Sequence, residues 1–345
     1  MNRFYNIPKD PKQEIYQQVS GITALAPFAV EKDWWVVQTL KILFELEVSK
    51  CLIFKGGTSL SKAWGIIERF SEDVDLAIER SFFGFDGNLN KKQRTKLRKA
   101  SNEYIRKNIC PALIAAFENK KLHGVEVELS EMVSSDQDPV IITVAYPNVM
   151  DTPGYIRPKI QIEIGCCSLF EPVESRAIIS YVDEVFSKTP FAQESVSIPC
   201  VVPQRTFLEK GFLLHEEFHR SKEKIRVDRM SRHLYDIYKI SKTEYAEKAL
   251  SDKDLYETIV KHRQSFTRLG GVDYNSHQPQ TIDFIPPKGY IDAWKKDYVA
   301  MQDNMIYGDS PSFEELITEL EILKRKINSL EWKMQCEFPR PKTVE

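Results

Sequence analysis

Two short segments hold residues whose types and spacing suit phosphate and metal chemistry. Lys55-Gly56-Gly57-Thr58-Ser59 follows a short apolar run, residues 51–54, and precedes a helical stretch reaching to about residue 64. Glycines let a backbone approach a triphosphate closely. A helix opened by Thr58 and Ser59 offers free N–H groups and a positive dipole end. Residues 73–78, Asp-Val-Asp-Leu-Ala-Ile, alternate in polarity, so Asp73 and Asp75 share one face of a strand. Two carboxylates so placed can share hard cations. Mg2+ suits them, because it keeps water and phosphate ligands beside one or two carboxylates. Two such ions stabilise the attacking and leaving oxygens of an in-line displacement on an NTP. Taken alone, Asp-x-Asp more often marks solvated aspartates on an edge strand after a Gly-Gly turn. Its coupling to strand, double glycine and helix favours the metal site.

Further polar residues extend this set. Glu163 sits on the polar face of a strand in which Ile160, Ile162 and Ile164 alternate with Lys159 and Gln161. It either completes the metal site, acts as a base, or is a plain exposed strand residue. Thr206 and Lys210 lie one helical turn apart, beside an apolar stripe of Phe207, Gly211, Leu214 and Phe218. A lysine there can meet a triphosphate as a compact point charge. In the next helical stretch Arg229, Arg232, His233 and Asp236 form a polar stripe, and Asp236 can orient the lysine. Taken alone, both stripes read as solvated faces. His215-Glu216-Glu217-Phe218-His219 matches the zinc-protease pattern His-Glu-x-x-His. No third ligand follows it, so it reads as the polar end of the lysine helix. Basic runs at 91–107 and 220–232 either track a phosphate backbone or form solvated faces.

The elements that must position these residues fall into two parts. Residues 11–47 read as helices, with an apolar stripe through Trp34, Val37, Leu40, Ile42, Leu43 and Phe44. Residues 91–119 form a long helical stretch, broken near Pro111. Strands are expected at 125–130, 140–146 and 156–164. Beyond Pro203 helices are expected at 204–219, 226–240, 243–262, 290–305 and 312–332. The last opens with a capping box, Ser312 with Glu315. The expected class is therefore α+β, with a mixed α and β domain at 1–202 and a helical domain at 203–345.

Composition bounds the setting. The 345 residues carry a formal net charge of −2, so nucleic-acid binding would need a local basic patch. The six cysteines form no Cys-x-x-Cys pair, and several lie in apolar runs, which favours buried free thiols in a reducing compartment. Residues 1–12 lack the apolar core of a signal peptide, and no apolar run approaches a membrane span. A cytoplasmic protein with no membrane association is expected.

Lys55-Gly-Gly-Thr-Ser-Leu60 with Arg69-Phe-Ser-Glu-Asp73-Val-Asp75-Leu76 resembles the signature of the AbiEii/AbiGii toxin family, to which the MenT toxins are related. Arg205-Thr-Phe-Leu-Glu-Lys210 and Ser231-Arg-His-Leu-Tyr-Asp236 resemble its later motifs, and the likeness spans roughly residues 30–330. It implies a polymerase-β-like nucleotidyltransferase domain with a mixed sheet, followed by a helical bundle. The two halves would form a cleft, carboxylates on one wall and Lys210 and Asp236 on the other. It further implies metal binding by Asp73 and Asp75, and phosphate binding by Gly56, Gly57, Thr58 and Ser59. Lys210 and Asp236 would be catalytic, and Arg205 and Thr206 would line the nucleotide site. Ser71 stands where related toxins are silenced by phosphorylation. Which of Thr58 and Ser59 meets phosphate is left open, and Glu163 aligns only loosely with the third carboxylate of polymerase-β-like transferases. The implied partners are an RNA acceptor, foremost the 3′ end of tRNA, and a cognate antitoxin. The competing readings are a protein or small-molecule acceptor, and a nucleotide-binding module without catalysis. Retention of both aspartates and Lys210 argues against the latter.

Overall fold

The computed structural model describes residues 3–71, 73–152 and 158–340. Residues 156–157, the start of one expected strand, and Glu72 of the family-like motif lie outside them. The chain divides into two compact units, Met1–Gly65 with Phe70–Val201, and Ile66–Arg69 with Val202–Glu345.

The first unit is built on a seven-stranded mixed sheet. Its strands are β1 (Leu52–Lys55), β2 (Asp73–Ile78), β3 (Glu126–Leu129), β4 (Val140–Ala145), β5 (Lys159–Gly165), β6 (Val173–Ile178) and β7 (Val196–Val201), in the order β3-β4-β5-β2-β1-β7-β6. β2 lies inside the sheet, antiparallel to β1 and parallel to β5. That removes the edge-strand reading of Asp73 and Asp75. The alternation expected for β5 is observed: Ile160, Ile162 and Ile164 are fully buried, whereas Gln161 and Glu163 are half-buried. β6 and β7, absent from the sequence reading, pair antiparallel and extend the sheet through β7 alongside β1.

Among the described residues, six helices accompany the sheet: α1 (Lys9–Thr23), α2 (Pro27–Leu43), α3 (Gly56–Lys62), α4 (Lys91–Tyr104), α5 (Cys110–Asn119) and α6 (Tyr181–Val185). The stripe expected around Trp34 proves to be one side of a helix buried on nearly every side, for Glu31, Lys32 and Asp33 of α2 are buried too. Buried charges need partners. Glu31 accepts from the backbone N–H groups of Val149 (2.8 Å) and Met150 (3.0 Å). Asp33 accepts from Lys62 (2.7 Å) and from the Tyr181 N–H (2.9 Å). The break expected near Pro111 is a single wider turn. Ile105–Ile109 is π-helical and joins α4 to α5, as befits a proline that has no N–H to donate into the preceding turn.

The second unit is helical: α7 (Pro203–Phe218), α8 (Ser231–Ser241), α9 (Glu244–Ser251), α10 (Lys253–Phe266), α11 (Ile291–Asn304) and α12 (Phe313–Asn328). Pro203 sits in the first turn of α7, where its missing N–H costs nothing. The Ser312–Glu315 capping box opens α12 as expected. Two expected helices are corrected. Residues 226–230 are not part of α8: Arg229 has φ of 57°, and Asp297 of α11 accepts from the N–H groups of Arg229 (2.7 Å) and Ser231 (2.8 Å), so the helix starts at Ser231. The stretch 243–262 is two helices, because the Asp252 side chain accepts from the Leu255 N–H (2.9 Å) and caps a new one. α7 packs against α8, α9 and α10, and α8 against α11 and α12. Every helix of the described residues is too short or too polar to cross a membrane.

Candidate active site

In the first unit the β1–α3 turn meets β2. Gly56 has φ of +79°, the left-handed region that favours glycine. A Cβ on it would lie 2.0 Å from Oδ2 of Asp75, so the glycine is demanded both by its torsion and by the carboxylate against it. The Thr58 hydroxyl donates to the Asp73 carbonyl at 2.5 Å, tying α3 to the first residue of β2. Its proton is thus committed to the scaffold. The Ser59 hydroxyl is buried, makes no hydrogen bond of normal geometry and neighbours the Cys200 thiol. Gly57 follows Gly56 in the first turn of α3, and Ser71 is a half-buried residue of the segment leading into β2.

Asp75 pairs in register with Glu163 on β5, and Asp73 with Gln161. Asp73, Asp75 and Glu163 therefore share one face of two adjacent strands, and all three are half-buried. The donor set is oxygen only, which suits a hard cation such as Mg2+ rather than a thiophilic one. The space left by the missing Gly56 Cβ lets the Asp75 carboxylate sit against the turn. These features fit a divalent-cation site.

A strong effect on function is expected from Gly56→Ala. The methyl group would collide with Asp75 and force an L-residue into left-handed torsions. The variant should lose at least about 1–3 kcal/mol of stability and most of its activity. Chemical denaturation and a turnover assay check this. A variant as stable and active as the parent would remove Gly56 from the site.

The second unit contains a buried charge cluster that reverses the solvated-face reading for Thr206, Lys210, His233 and Asp236, whereas Arg229 is exposed and lies outside α8. Asp236 is fully buried and accepts from Arg69 through two bonds, Nε at 2.7 Å and Nη2 at 2.8 Å. Lys210 Nζ lies 2.9 Å from Oδ2 of the same carboxylate and 3.3 Å from Nδ1 of His233. Burial opposes ionisation of Asp236, but Arg69 and Lys210 overcome it and hold the carboxyl well below its usual range. Burial also lowers Lys210, in part offset by Asp236, with Arg69 adding to the lowering. His233 is pushed well below the usual imidazole range by burial and by Lys210 and Arg232, so it accepts from Lys210 as a neutral ring. Arg205 is buried and pairs with Glu209 one turn along (2.9 Å), and Thr206 is buried on the same helix.

Arg69 entered the sequence reading only as the first residue of a family-like motif. Its signal, an arginine two residues before Ser71, could not disclose a carboxylate partner 167 positions away.

The His-Glu-x-x-His pattern is structural. His215 Nδ1 accepts from the Asp283 N–H (3.0 Å), and Nε2 lies 2.8 Å from Ser276 Oγ, so both ring nitrogens are engaged. Glu216 takes a two-bond contact from Arg263 (2.6 and 2.7 Å) and pairs with His277 (3.3 Å). Glu217 binds Arg226 and Arg220.

These groups give the helical unit an acid-sensitive core. Burial opposes ionisation of Glu216 and Glu217, yet their cationic partners, like those of Asp236, hold each below its ordinary value. A depressed carboxylate contributes stability that is complete above the ordinary carboxylate range, about pH 4, and is lost as pH falls toward the folded value. The lowered imidazoles of His215 and His233 act in the same sense, costing stability once pH drops below the ordinary imidazole range, about 6.5. Protection factors of the α7 and α8 amides should therefore begin to fall below about pH 6.5 and fall further below about pH 4. Unchanged protection of these helices down to about pH 2 would contradict the ion-pair account.

A unit built on a mixed sheet, followed by a helical unit, makes this an α+β protein. The chain belongs to the family described as nucleotidyl transferase AbiEii toxin, Type IV TA system, whose family model matches residues 40–319. Among solved structures it is similar to MenT4, a nucleotidyltransferase toxin from Mycobacterium tuberculosis H37Rv, with 17% identity, 90% of this chain and 96% of that chain covered, and a TM-score of 0.46. It is also similar to JHP933 from Helicobacter pylori, with 14% identity, 84% and 92% covered, and a TM-score of 0.39. No curated protein sequence gives a match. At these TM-scores the structural likeness is weak, and the family assignment rests on the sequence match.

Proposed function

We propose that this member of the nucleotidyltransferase toxin family transfers a nucleoside monophosphate from an NTP to an RNA hydroxyl, foremost the 3′ end of tRNA, with release of pyrophosphate. The observation that carries the reading is the Asp75 carboxylate seated against Gly56 and in register with Glu163. Mg2+ held by Asp73, Asp75 and Glu163 would supply neutralisation of the triphosphate and of the leaving pyrophosphate. Residues 56–59 hold phosphate through their backbone N–H groups, because the Thr58 hydroxyl is bound to Asp73 and the Ser59 hydroxyl is buried beside Cys200. Lys210, kept in place by Asp236, pairs with the triphosphate as a point charge. Arg205 and Thr206 line the nucleotide site. As a family member the chain is expected to have a cognate antitoxin and to act in the cytoplasm, and a phosphate on Ser71 would place about −1.5 to −2 charges beside the carboxylates.

The test is incubation with total RNA and each labelled NTP in turn, with and without Mg2+. Label on RNA, dependent on Mg2+ and accompanied by pyrophosphate, is expected. Label on protein instead would move the acceptor to a protein. Absence of pyrophosphate with every NTP would leave a nucleotide-binding module.

The basic run on α4 supports an RNA acceptor. Lys92, Lys96 and Lys99 are exposed, whereas Arg98 binds Asp136 and Arg106 binds the Ser130 carbonyl. Replacing Lys92, Lys96 and Lys99 together by Glu should weaken RNA binding, lower its salt slope by about 3 for three lost phosphate contacts, and spare NTP binding. Unchanged RNA affinity and slope would exclude this helix as the RNA-binding surface.

A further inference from the structure

Away from the carboxylates of β2, the first unit holds a second cluster of metal-binding side chains. Cys166 and Cys167 directly follow β5, and Asp138 directly precedes Pro139 and β4. One ligand atom from each of Asp138, Cys166 and Cys167 lies within 4.8 Å of the others. The two Sγ atoms are 4.0 Å apart. A tetrahedral ion with bonds of about 2.3 Å to sulfur places its sulfurs about 3.8 Å apart. Side chains of adjacent residues in an extended strand point to opposite faces. Here the chain bends immediately after β5, and the thiols come to one side.

The surroundings are built around these three residues. Asp138 is held by the Cys166 N–H, which donates to Oδ1 at 2.8 Å. A Cβ on Gly165 would stand 3.4 Å from that same oxygen. The Arg98 guanidinium of α4 lies against both Asp136 and Cys167, and Asn102 of α4 donates to the Gln137 carbonyl at 3.0 Å. The Ser101 hydroxyl, 1% exposed and beside Cys166, makes no hydrogen bond of normal geometry. It is a buried polar atom facing the cluster with a place for a partner. All six cysteines of the chain are free thiols.

The geometry points to a site for one thiophilic divalent cation of the Zn2+ class, bound by Cys166, Cys167 and Asp138 and distinct from the oxygen-only cation site of Asp73, Asp75 and Glu163. Three protein ligands leave a fourth position for water, which Ser101 is placed to bond. Two thiolates and a carboxylate are soft and borderline donors that select Zn2+ over Mg2+. Binding converts both thiols to thiolates and releases two protons to solvent. The ion would fasten the 134–138 loop to the end of β5, the strand that carries Glu163, and so brace that strand from outside the reaction.

The experiment uses the full chain, reduced and stripped of metal by a chelator, titrated with Co2+ and then Zn2+. One equivalent of Co2+ should give thiolate-to-cobalt charge-transfer absorption, displaced by one equivalent of Zn2+ and accompanied by proton release. Cys167→Ser, at a half-buried position that should tolerate the change, is expected to remove at least about half of the sulfur band, one of its two thiolates being lost. Asp138→Asn should weaken Zn2+ affinity at least about 10-fold, the loss that even outer-shell partners cause. Asp73→Asn and Asp75→Asn should leave the band intact. Bound Zn2+ should raise the unfolding temperature of the parent more than that of Cys167→Ser. No sulfur band in the reduced parent, or a band that persists undiminished in Cys167→Ser and in Cys166→Ser, would overturn the assignment. These readouts do not involve nucleotide transfer, so they stand or fall separately from the proposed activity.

Discussion

Asp75→Asn and Asp73→Asn should each abolish nucleotide transfer while leaving the fold intact. The amide keeps the size of the carboxylate, so the Asp75→Asn side chain would still fit against Gly56, where a Cβ would lie 2.0 Å from the native oxygen. What is lost is charge. A cation that stabilises a transferring phosphoryl group supplies several kcal/mol, so turnover should fall by about 10³-fold or more. Both residues are half-buried on an interior strand held in register by β1 and β5, so the loss should not come through unfolding. Glu163→Gln should cost less, because one of three carboxylates, opposite Asp75, is neutralised while the β2 pair remains. Circular dichroism, unfolding temperature and labelled-NTP transfer would be read together. Full activity in a folded Asp75→Asn variant would remove the carboxylates from the reaction.

The second large effect is expected at Asp236. Its carboxylate is fully buried between Arg69 and Lys210. Asp236→Ala would leave two buried cations facing each other with no counter-charge. Removing one partner of a buried ion pair costs about 3–5 kcal/mol, which is a large share of the stability of an ordinary domain. Arg69→Met should be milder, since Lys210 still pairs with Asp236 and the long apolar side chain fills much of the same volume. The double variant Arg69→Met/Asp236→Leu should recover part of the stability lost in Asp236→Ala, because Lys210 alone, rather than Lys210 and Arg69 together, is then left as a buried cation without the carboxylate. Denaturation of the three variants measures this. A loss below about 1 kcal/mol for Asp236→Ala would mean that water reaches the cluster. A separate effect is expected on catalysis: a folded Lys210→Ala should raise KM for NTP and lower kcat, and Lys210→Arg should restore only part of either, because a planar fork does not replace a point charge.

Much of the site was readable from local pattern. Alternation alone put Asp73 and Asp75 on one face, and the interruption of an apolar run by Gly56-Gly57 located the turn, because both signals span only a few residues. The spacing of Thr206 and Lys210 likewise needed nothing beyond helical period, and the Ser312–Glu315 cap nothing beyond three residues. The six cysteines were expected to be buried free thiols; all six are free, but only Cys110, Cys166 and Cys200 are buried, and Cys51, Cys167 and Cys336 are half-buried. The class of the chain, mixed α and β then helical, followed from where the period changes.

Other features depend on pairs of residues that periodicity cannot join. That Glu163 stands beside Asp75 follows from β5 pairing parallel to β2, a register between strands nearly 90 residues apart in sequence. β6 was invisible because Glu174, Ser175 and Arg176 interrupt any apolar run; it is a strand because β7 offers it a ladder. The start of α8 was set by Asp297, a cap supplied from another helix rather than from the chain before it. The polar stripe of Asp236 and His233 has the same pattern whether it faces water or a core. It is buried because Arg69 and Lys210 supply the charges that let a carboxylate leave water. The sequence by itself therefore determined which residues share a strand or helix face. The tertiary structure alone decided which of those faces meet, and which charges are buried, because burial of an ion depends on a partner that only long-range packing delivers.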